Sequence, residues 1–247
     1  MNLFAKLIDI IYPPKCPICR VFLQKNYLSS GSKRRPFCHA CYSDFHKITS
    51  PLCPICGRTF GSGIPEDHRC EDCLRSPPFF DALRAPYVYN GAIMKAIHRF
   101  KYGAESSVAD SLGPLLAEFA QRWAREWDDI ITIPVPLHPK RLRERGFNQS
   151  LLLARHVAGT RGSQPDFLSL RRVRHTRPQT GLKKEERRKN VQGAFHLNNA
   201  DAFKGKKTLL VDDVATTGNT LNECARMLRE AGASKVFCLT LVRTGDF

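Results

Sequence analysis

Eight of the ten cysteines in this 247-residue chain fall in four Cys-x-x-Cys pairs: Cys16/Cys19, Cys38/Cys41, Cys53/Cys56 and Cys70/Cys73. Random placement of ten cysteines would give about 0.4 such pairs, so the pattern is not accidental. A Cys-x-x-Cys turn can aim two thiolates at one ion, and tetrahedral Zn²⁺ takes four sulfurs at about 2.3 Å. Four pairs therefore predict two structural zinc sites, with iron–sulfur clusters and redox thiols as the competing uses. A disulfide framework would need an oxidising compartment. The apolar start of the chain, residues 1–12, is interrupted by Lys6 and Asp9, and no small-residue cleavage site follows it. It reads as a short amphipathic helix, not a secretory leader, and the expected location is cytoplasmic.

Cys-Pro-Ile-Cys occurs at residues 16–19 and again at 53–56, each followed by a second pair, as in a duplicated ribbon. Neighbour pairing puts Cys16, Cys19, Cys38 and Cys41 on one ion and Cys53, Cys56, Cys70 and Cys73 on the other. A cross-braced arrangement, with the first and third pairs sharing an ion, is also compatible with the spacing. His39 and His68 adjoin these cysteines and are expected to stay outside the ligand sets. So small a module buries too little apolar area to fold alone, and metal binding must supply its folding energy.

The second chemical segment runs from Leu209 to Thr220: an apolar strand, the acids Asp212 and Asp213, then Val214-Ala215-Thr216-Thr217-Gly218-Asn219 and a helix start. Ligands of open α/β sheets bind beyond the carboxyl ends of strands. Loop amides from Ala215 to Asn219 and the helix N-terminus would form a site for a phosphate monoester, with the hydroxyls of Thr216, Thr217 and Thr220 adding hydrogen bonds. The paired carboxylates suit the vicinal hydroxyls of a ribose, or Mg²⁺ bound to them. A Walker-B strand end would want a Gly-x₄-Gly-Lys-Ser/Thr loop elsewhere, and Gly205-Lys206-Lys207 lacks that spacing.

These segments need scaffolds. Pro77, Pro78 and Pro86 punctuate Leu74 to Pro86 without helical or alternating period, which marks a linker at 74–86 between a zinc module (1–73) and a second domain (87–247). In that domain, Ile130 to Val135, Thr208 to Val211 and Val236 to Val242 read as buried strands. They are separated by helical patterns over Ala92 to Phe100, Val108 to Trp127, Phe147 to Val157 and Thr220 to Ala231. Strands alternating with helices predict an α/β fold, a parallel sheet with helices on both faces. Cys224 and Cys238 are expected to be core thiols.

Mean hydropathy is −0.33, and no apolar run approaches the roughly 18 residues that span a bilayer. The formal charge is +16, brought to about +12 if two zinc–thiolate centres form. It is concentrated: between residues 131 and 190, fifteen Lys or Arg stand against four Asp or Glu. Such a local field suits an anion.

Asp212 to Thr220 resembles the phosphoribosyl-diphosphate (PRPP) motif of type I phosphoribosyltransferases. The whole chain resembles the ComF competence-protein family, through its Cys-rich segment, Pro134-Val135-Pro136, Arg145-Gly146-Phe147-Asn148-Gln149 and the acid-pair loop. The resemblance implies a type I phosphoribosyltransferase-like domain behind a double zinc ribbon, binding PRPP with Mg²⁺ and transferring a phosphoribosyl group with release of pyrophosphate. It implies a diphosphate loop at Leu137 to Arg141, with Lys140 and Arg141 as contacts. It also implies a mobile catalytic loop within Arg171 to Lys189, with Arg177, Gln179, Arg187 and Asn190 at family positions. The acceptor is not readable. With five residues after the last strand, the hood over the acceptor is expected from Tyr87 to Tyr102 or from the zinc module, with Lys101 and Tyr102 bordering it.

The family's link to DNA uptake gives the alternative function, a PRPP or nucleotide sensor that docks single-stranded DNA or a helicase-type protein of DNA uptake. Phe and Trp, which would provide stacking platforms for single strands, are absent from Arg171 to Lys189.

Overall fold

A computed structural model describes residues 13–23, 36–61, 65–103, 105–124, 127, 129–176 and 184–245. The helix expected at residues 1–12 lies outside the described residues, as do Arg177 and Gln179 and the side chain of Arg187.

In the Cys-rich part, α1 (His39–Ser43) and α2 (Glu71–Arg75) are single turns whose N-caps are Cys38 and Cys70. There follow β1 (Ala82–Arg84), β2 (Tyr87–Val88), α3 (Gly91–Tyr102), α4 (Val108–Trp123), β3 (Ile130–Pro134), α5 (Pro139–Arg145) and α6 (Gln149–Gly159). The chain then forms β4 (Leu170–Arg172), α7 (Lys184–Val191), β5 (Phe195–Leu197), β6 (Lys207–Ala215), α8 (Asn219–Glu230) and β7 (Lys235–Arg243). Five strands make one parallel sheet in the order β1–β7–β6–β3, with β2 continuing the β1 edge along β7.

Alternation along the central strands sorts the core into two layers, because successive side chains of a strand face opposite ways. Leu209, Val211, Leu239 and Leu241 pack with Ile93, Ile97, Leu112, Leu116 and Leu153 of α3, α4 and α6. Leu210, Val236 and Cys238 pack with Leu221, Cys224 and Leu228 of α8 and with the antiparallel β4–β5 hairpin. Helices thus cover both faces, and Cys224 and Cys238 are core thiols.

Four local expectations change. Residues 82–84, read as linker, form β1 with Leu83 fully buried, so the sheet begins before residue 87. A three-residue edge strand is too short to show a period, and the flanking prolines hide it. Strand β6 runs on through the acid pair to Ala215, placing Asp212 and Asp213 within the strand. Within the loop expected at Leu137 to Arg141, residues 139–141 instead open helix α5, started by Pro139 and capped by His138, whose side chain accepts from the Lys140 amide. Arg171 and Arg172 belong to β4, and α7 lies between β4 and β5, so the basic block is part of a hairpin.

The ribbons are docked on the sheet. Residue Lys47 bridges Tyr87 in antiparallel fashion, with Val88 N–H donating to His46 O at 2.8 Å and Ile48 N–H to Pro86 O at 2.9 Å. Asp44 accepts from the Ala92 amide at 2.7 Å and so supplies α3 with the cap that Asn90 does not. Arg99 on α3 donates to Ile18 O at 2.7 Å. The second ribbon reaches the same edge through Leu83 N–H donating to Ile55 O at 2.7 Å.

Candidate metal centres and ligand site

The thiols gather as Cys16, Cys19, Cys38 and Cys41, and as Cys53, Cys56, Cys70 and Cys73, each set with its sulfurs within 4.8 Å of one another. Neighbour pairing is thereby settled over cross-bracing. A tetrahedron of 2.3 Å bonds has edges of about 3.8 Å, and Cys19–Cys38 and Cys56–Cys70 stand at 3.5 and 3.6 Å. Burial pushes the Cys16 thiol up, but backbone N–H groups of Cys19, Cys38 and Ile18 outweigh it and bring it down to about 7. Cys53 behaves alike, at about 7, through Cys56, Cys70 and Ile55. Cys41 and Cys73 are pushed far up, by burial and then by their neighbouring thiols. A set whose first thiolate forms readily and whose last resists like charge is one that a dication completes. His39 is exposed and His68 stacks on Phe60, so neither joins a set.

The second site is a cavity of about 490 Å³ at the carboxyl edge of the sheet, where Asp212 and Asp213 face Lys101, Arg141, Arg145 and Arg172. Asp212 Oδ1 accepts from Ser150 Oγ at 2.7 Å and from the Asp213 amide at 2.9 Å. Lys101 Nζ lies 3.0 Å from Asp213 Oδ2. Burial would lower the Lys101 ammonium, but Asp213 and then Asp212 outweigh it and hold it above its ordinary value. Burial, then the Asp213 charge, pushes Asp212 up to about 6.

Arg145-Gly146-Phe147-Asn148-Gln149 has a local mechanical role. Gly146, at φ 80°, ends α5 in the left-handed region, and Phe147 stacks on Phe100 at 5.6 Å. Asn148 caps α6 by accepting from the Ser150 amide, while its Nδ2 donates to Val135 O at 3.2 Å. Arg145 donates to Gln149 at 3.0 Å. The motif thus ties β3 to α6 and delivers Ser150 to Asp212.

Thr216, Thr217 and Gly218 turn from β6 into α8. The N-cap is Gly218 at φ 77°, which has no side chain to spend on the first-turn amides. Ala215 is buried, and its carbonyl accepts from the Thr244 amide. Of the sequence-predicted set, Asp212, Asp213, Thr216, Thr220 and Arg141 meet in the cavity, while Thr217, Gly218 and Asn219 line its neighbour. Lys140 is exposed on α5 and outside the cavity, because the helix turns it away. Lys101 sits on the acid pair, and Tyr102 is on the rim beneath Arg145, 5.6 Å from ring centroid to guanidinium. Sequence reasoning missed Ser150 and Arg172 in the cavity, and Arg243 beside its neighbour. Ser150 follows directly on the Arg145–Gln149 motif, which is a signal; Arg172 is one of nine cations in its segment, and Arg243 ends a strand with no motif around it.

Fold and site together define a double zinc ribbon docked on a phosphoribosyltransferase-type α/β domain. Residues 7–74 match the double zinc ribbon domain, and residues 165–246 match the phosphoribosyl transferase domain. The chain is 31% identical over 218 residues to competence protein ComFC of Bacillus subtilis, covering 84% of each. It is 31% identical over 239 residues to DNA utilization protein YhgH of Escherichia coli K12, covering 94% of this chain and 98% of that one. It is 30% identical over 240 residues to competence protein F of Haemophilus influenzae, covering 93% and 96%. The protein belongs to the ComF family. Among the described residues no helix is long and apolar enough to cross a membrane.

Proposed function

We propose that the protein binds PRPP with Mg²⁺ at the carboxyl edge of its sheet and transfers the phosphoribosyl group to an acceptor. The observation that carries this reading is the run Ser150–Asp212–Asp213–Lys101, flanked by the start of α8 and by three arginines. The carboxylates accept from the ribose hydroxyls, and Ser150 and Lys101 hold them in place. Amides at the start of α8 take the 5′-phosphate. Arg141, Arg145 and Arg172 stabilise the charge that builds on departing diphosphate, the largest demand of a reaction through a cation-like sugar centre. Mg²⁺, held by substrate oxygens in front of Asp212 and Asp213, would add positive charge to that leaving group. By resemblance, Arg177, Gln179 and Arg187 close over the bound diphosphate.

As its relatives' names indicate for them, the chain is proposed to serve competence or DNA utilization in the cytoplasm, with single-stranded DNA or a DNA-uptake protein as partner. Calorimetry with Mg²⁺ and PRPP tests the core of the reading: binding should be lost when Asp212→Asn and Asp213→Asn are combined, and unchanged affinity would show that the ribose site lies elsewhere. A screen for PRPP-dependent pyrophosphate release across nucleobases, ammonia and nucleic acids separates transferase from sensor.

A further inference from the structure

The two metal centres differ in how they meet solvent. In the second set Cys53, Cys70 and Cys73 are 0, 4 and 6% exposed and pack with Ile55 and Phe60. In the first set Cys16 and Cys41 are buried, but Cys19 is exposed and Cys38 is half-buried. The sulfurs of Cys19 and Cys38 stand 3.5 Å apart. Thiolate character and exposure together decide which cysteine an oxidant attacks. A small oxidant therefore meets Cys19 first, with a second thiolate already within reach.

The same knuckle grips the helix that ends at the acid pair. The carbonyls of Pro17 and Ile18, between two of the ligands, accept from Arg99 Nη1 at 3.2 and 2.7 Å. Arg20, directly after Cys19, reaches Glu105 at 2.6 Å, and Glu105 also lies 3.6 Å from Arg99. Arg20 holds a left-handed backbone at φ 65°, where the other ribbon has Gly57 at φ 67°. A side chain is thus kept at a position that favours glycine, and Glu105 is what it meets. Arg99 and Lys101 share the last turn of α3. Two residues advance a helix by about 200°, so Arg99 faces the knuckle while Lys101 faces the acid pair, 3.0 Å from Asp213 Oδ2. The second knuckle is tied instead to β1 through Ile55 and Leu83, and lies within electrostatic reach of Arg243 at the end of β7.

We infer that Cys19 and Cys38 form a peroxide-sensitive pair, and that joining them as a disulfide releases the first zinc and weakens the sugar-diphosphate site through α3. The weakening, though not the cysteine chemistry, rests on the sugar-diphosphate reading above. The Cys19 sulfur attacks one oxygen of hydrogen peroxide, the O–O bond breaks and hydroxide leaves, giving a sulfenic acid. The Cys38 thiolate then attacks that sulfur, forming the S–S bond and expelling a second hydroxide. Two electrons pass from the thiolates to peroxide. The sulfurs close by about 1.5 Å, from 3.5 Å to the roughly 2.05 Å of a disulfide. Cys16 and Cys41 alone leave the ion two ligands short, so zinc departs. The knuckle then loosens, Arg99 loses the carbonyls that set the end of α3, and Lys101 no longer fixes Asp213.

The reduced, zinc-loaded full chain, given one equivalent of hydrogen peroxide, should release one zinc ion of its two, read with a chromophoric chelator. Peptide mass mapping should find the Cys19–Cys38 disulfide, and dithiothreitol with added zinc should reverse the change. Calorimetry with Mg²⁺ and PRPP on the oxidised chain should show affinity about tenfold weaker, an ordinary size for coupling between two sites. Lys101→Met should be weakened by a similar factor when reduced and lose little more on oxidation, because the route is already cut. A disulfide within the second set, or full PRPP affinity after the first zinc has gone, overturns the inference; so does a full further loss in oxidised Lys101→Met. If circular dichroism shows the oxidised chain unfolded, Arg99→Met decides. At two zinc ions per chain, several-fold weaker PRPP binding in that variant upholds the coupling, and unchanged affinity overturns it. Absent PRPP binding in the reduced wild-type chain sinks the sugar reading, while the chelator and the peptide map still judge the cysteine pair.

Discussion

The first ribbon places Cys16 and Cys41 inside the main core, beside α3 and β2, whereas the second gathers Cys53, Cys70 and Cys73 into a small cluster of their own. Both begin with Cys-Pro-Ile-Cys and both bring four thiols together. The first is tied in by a β-bridge at Lys47, the Asp44 cap and Arg99. The second touches the sheet edge at Ile55 and otherwise faces a cavity beside the Thr216–Asn219 loop. Duplication copied a metal site, and the surroundings gave the copies different work. One is built into the main core, and the other walls a cavity at the start of α8.

Removing each metal in turn is the largest test of that difference. Structural zinc contributes about 10–16 kcal/mol in zinc-finger peptides, so either loss is severe locally. Cys16→Ser should release one zinc and, because Cys16 is fully buried in the main cluster, lower the global melting temperature. Cys53→Ser should also release one zinc, yet leave most of the fold intact by circular dichroism and impair ligand binding instead. Equal melting losses in the two variants would break the comparison.

A smaller comparison uses two glycines at the docking seams. A Cβ on Gly57, at φ 67°, would lie 2.5 Å from the backbone oxygen of Leu83, which cannot move without disturbing β1. A Cβ on Gly91, at φ 53°, would meet the Asp44 carboxylate at 2.5 Å and the Asp44 backbone oxygen at 3.1 Å, and turning the carboxylate aside gives up its bond to the Ala92 amide. Left-handed backbone costs about 1–2 kcal/mol in either alanine variant. Each variant should lose about 1 kcal/mol more at its own seam, Gly57→Ala through the Leu83–Ile55 hydrogen bond and Gly91→Ala through the Asp44 cap of α3, so the two should be similarly destabilised. Denaturant unfolding measures both.

Much of this was legible from spacing. Eight cysteines in pairs specify two centres, and the acid-pair loop specifies a strand end feeding a helix. Long elements with clear periods, such as α4, β7 and α8, fall close to where their patterns put them. What escaped was short or relational. The three residues of β1 show no period, and α5 hides behind Pro139 and a run of charges with no buried residue. Arg243 carries no local signal at all, since its meaning comes from a ribbon nearly two hundred residues away in sequence. Pairing order was open for the same reason: spacing constrains each knuckle but not which knuckle folds against which.

Proton occupancy of the acid pair carries the smallest expected effect. Asp212, ordinarily 3.8, is pushed up to about 6 by burial and then by Asp213. Between those values the folded chain holds a proton on Asp212 that the unfolded chain has lost, so the contribution of this carboxyl to the stability of the unliganded fold rises as the pH falls through that window. Ligand binding runs the other way. Ribose hydroxyls donate to an ionised carboxylate, so PRPP affinity should fall about tenfold per pH unit below about 6 from this group. The 5′-phosphate titrates nearby, and Asp212→Asn separates the two: weaker throughout, it should show a shallower pH dependence.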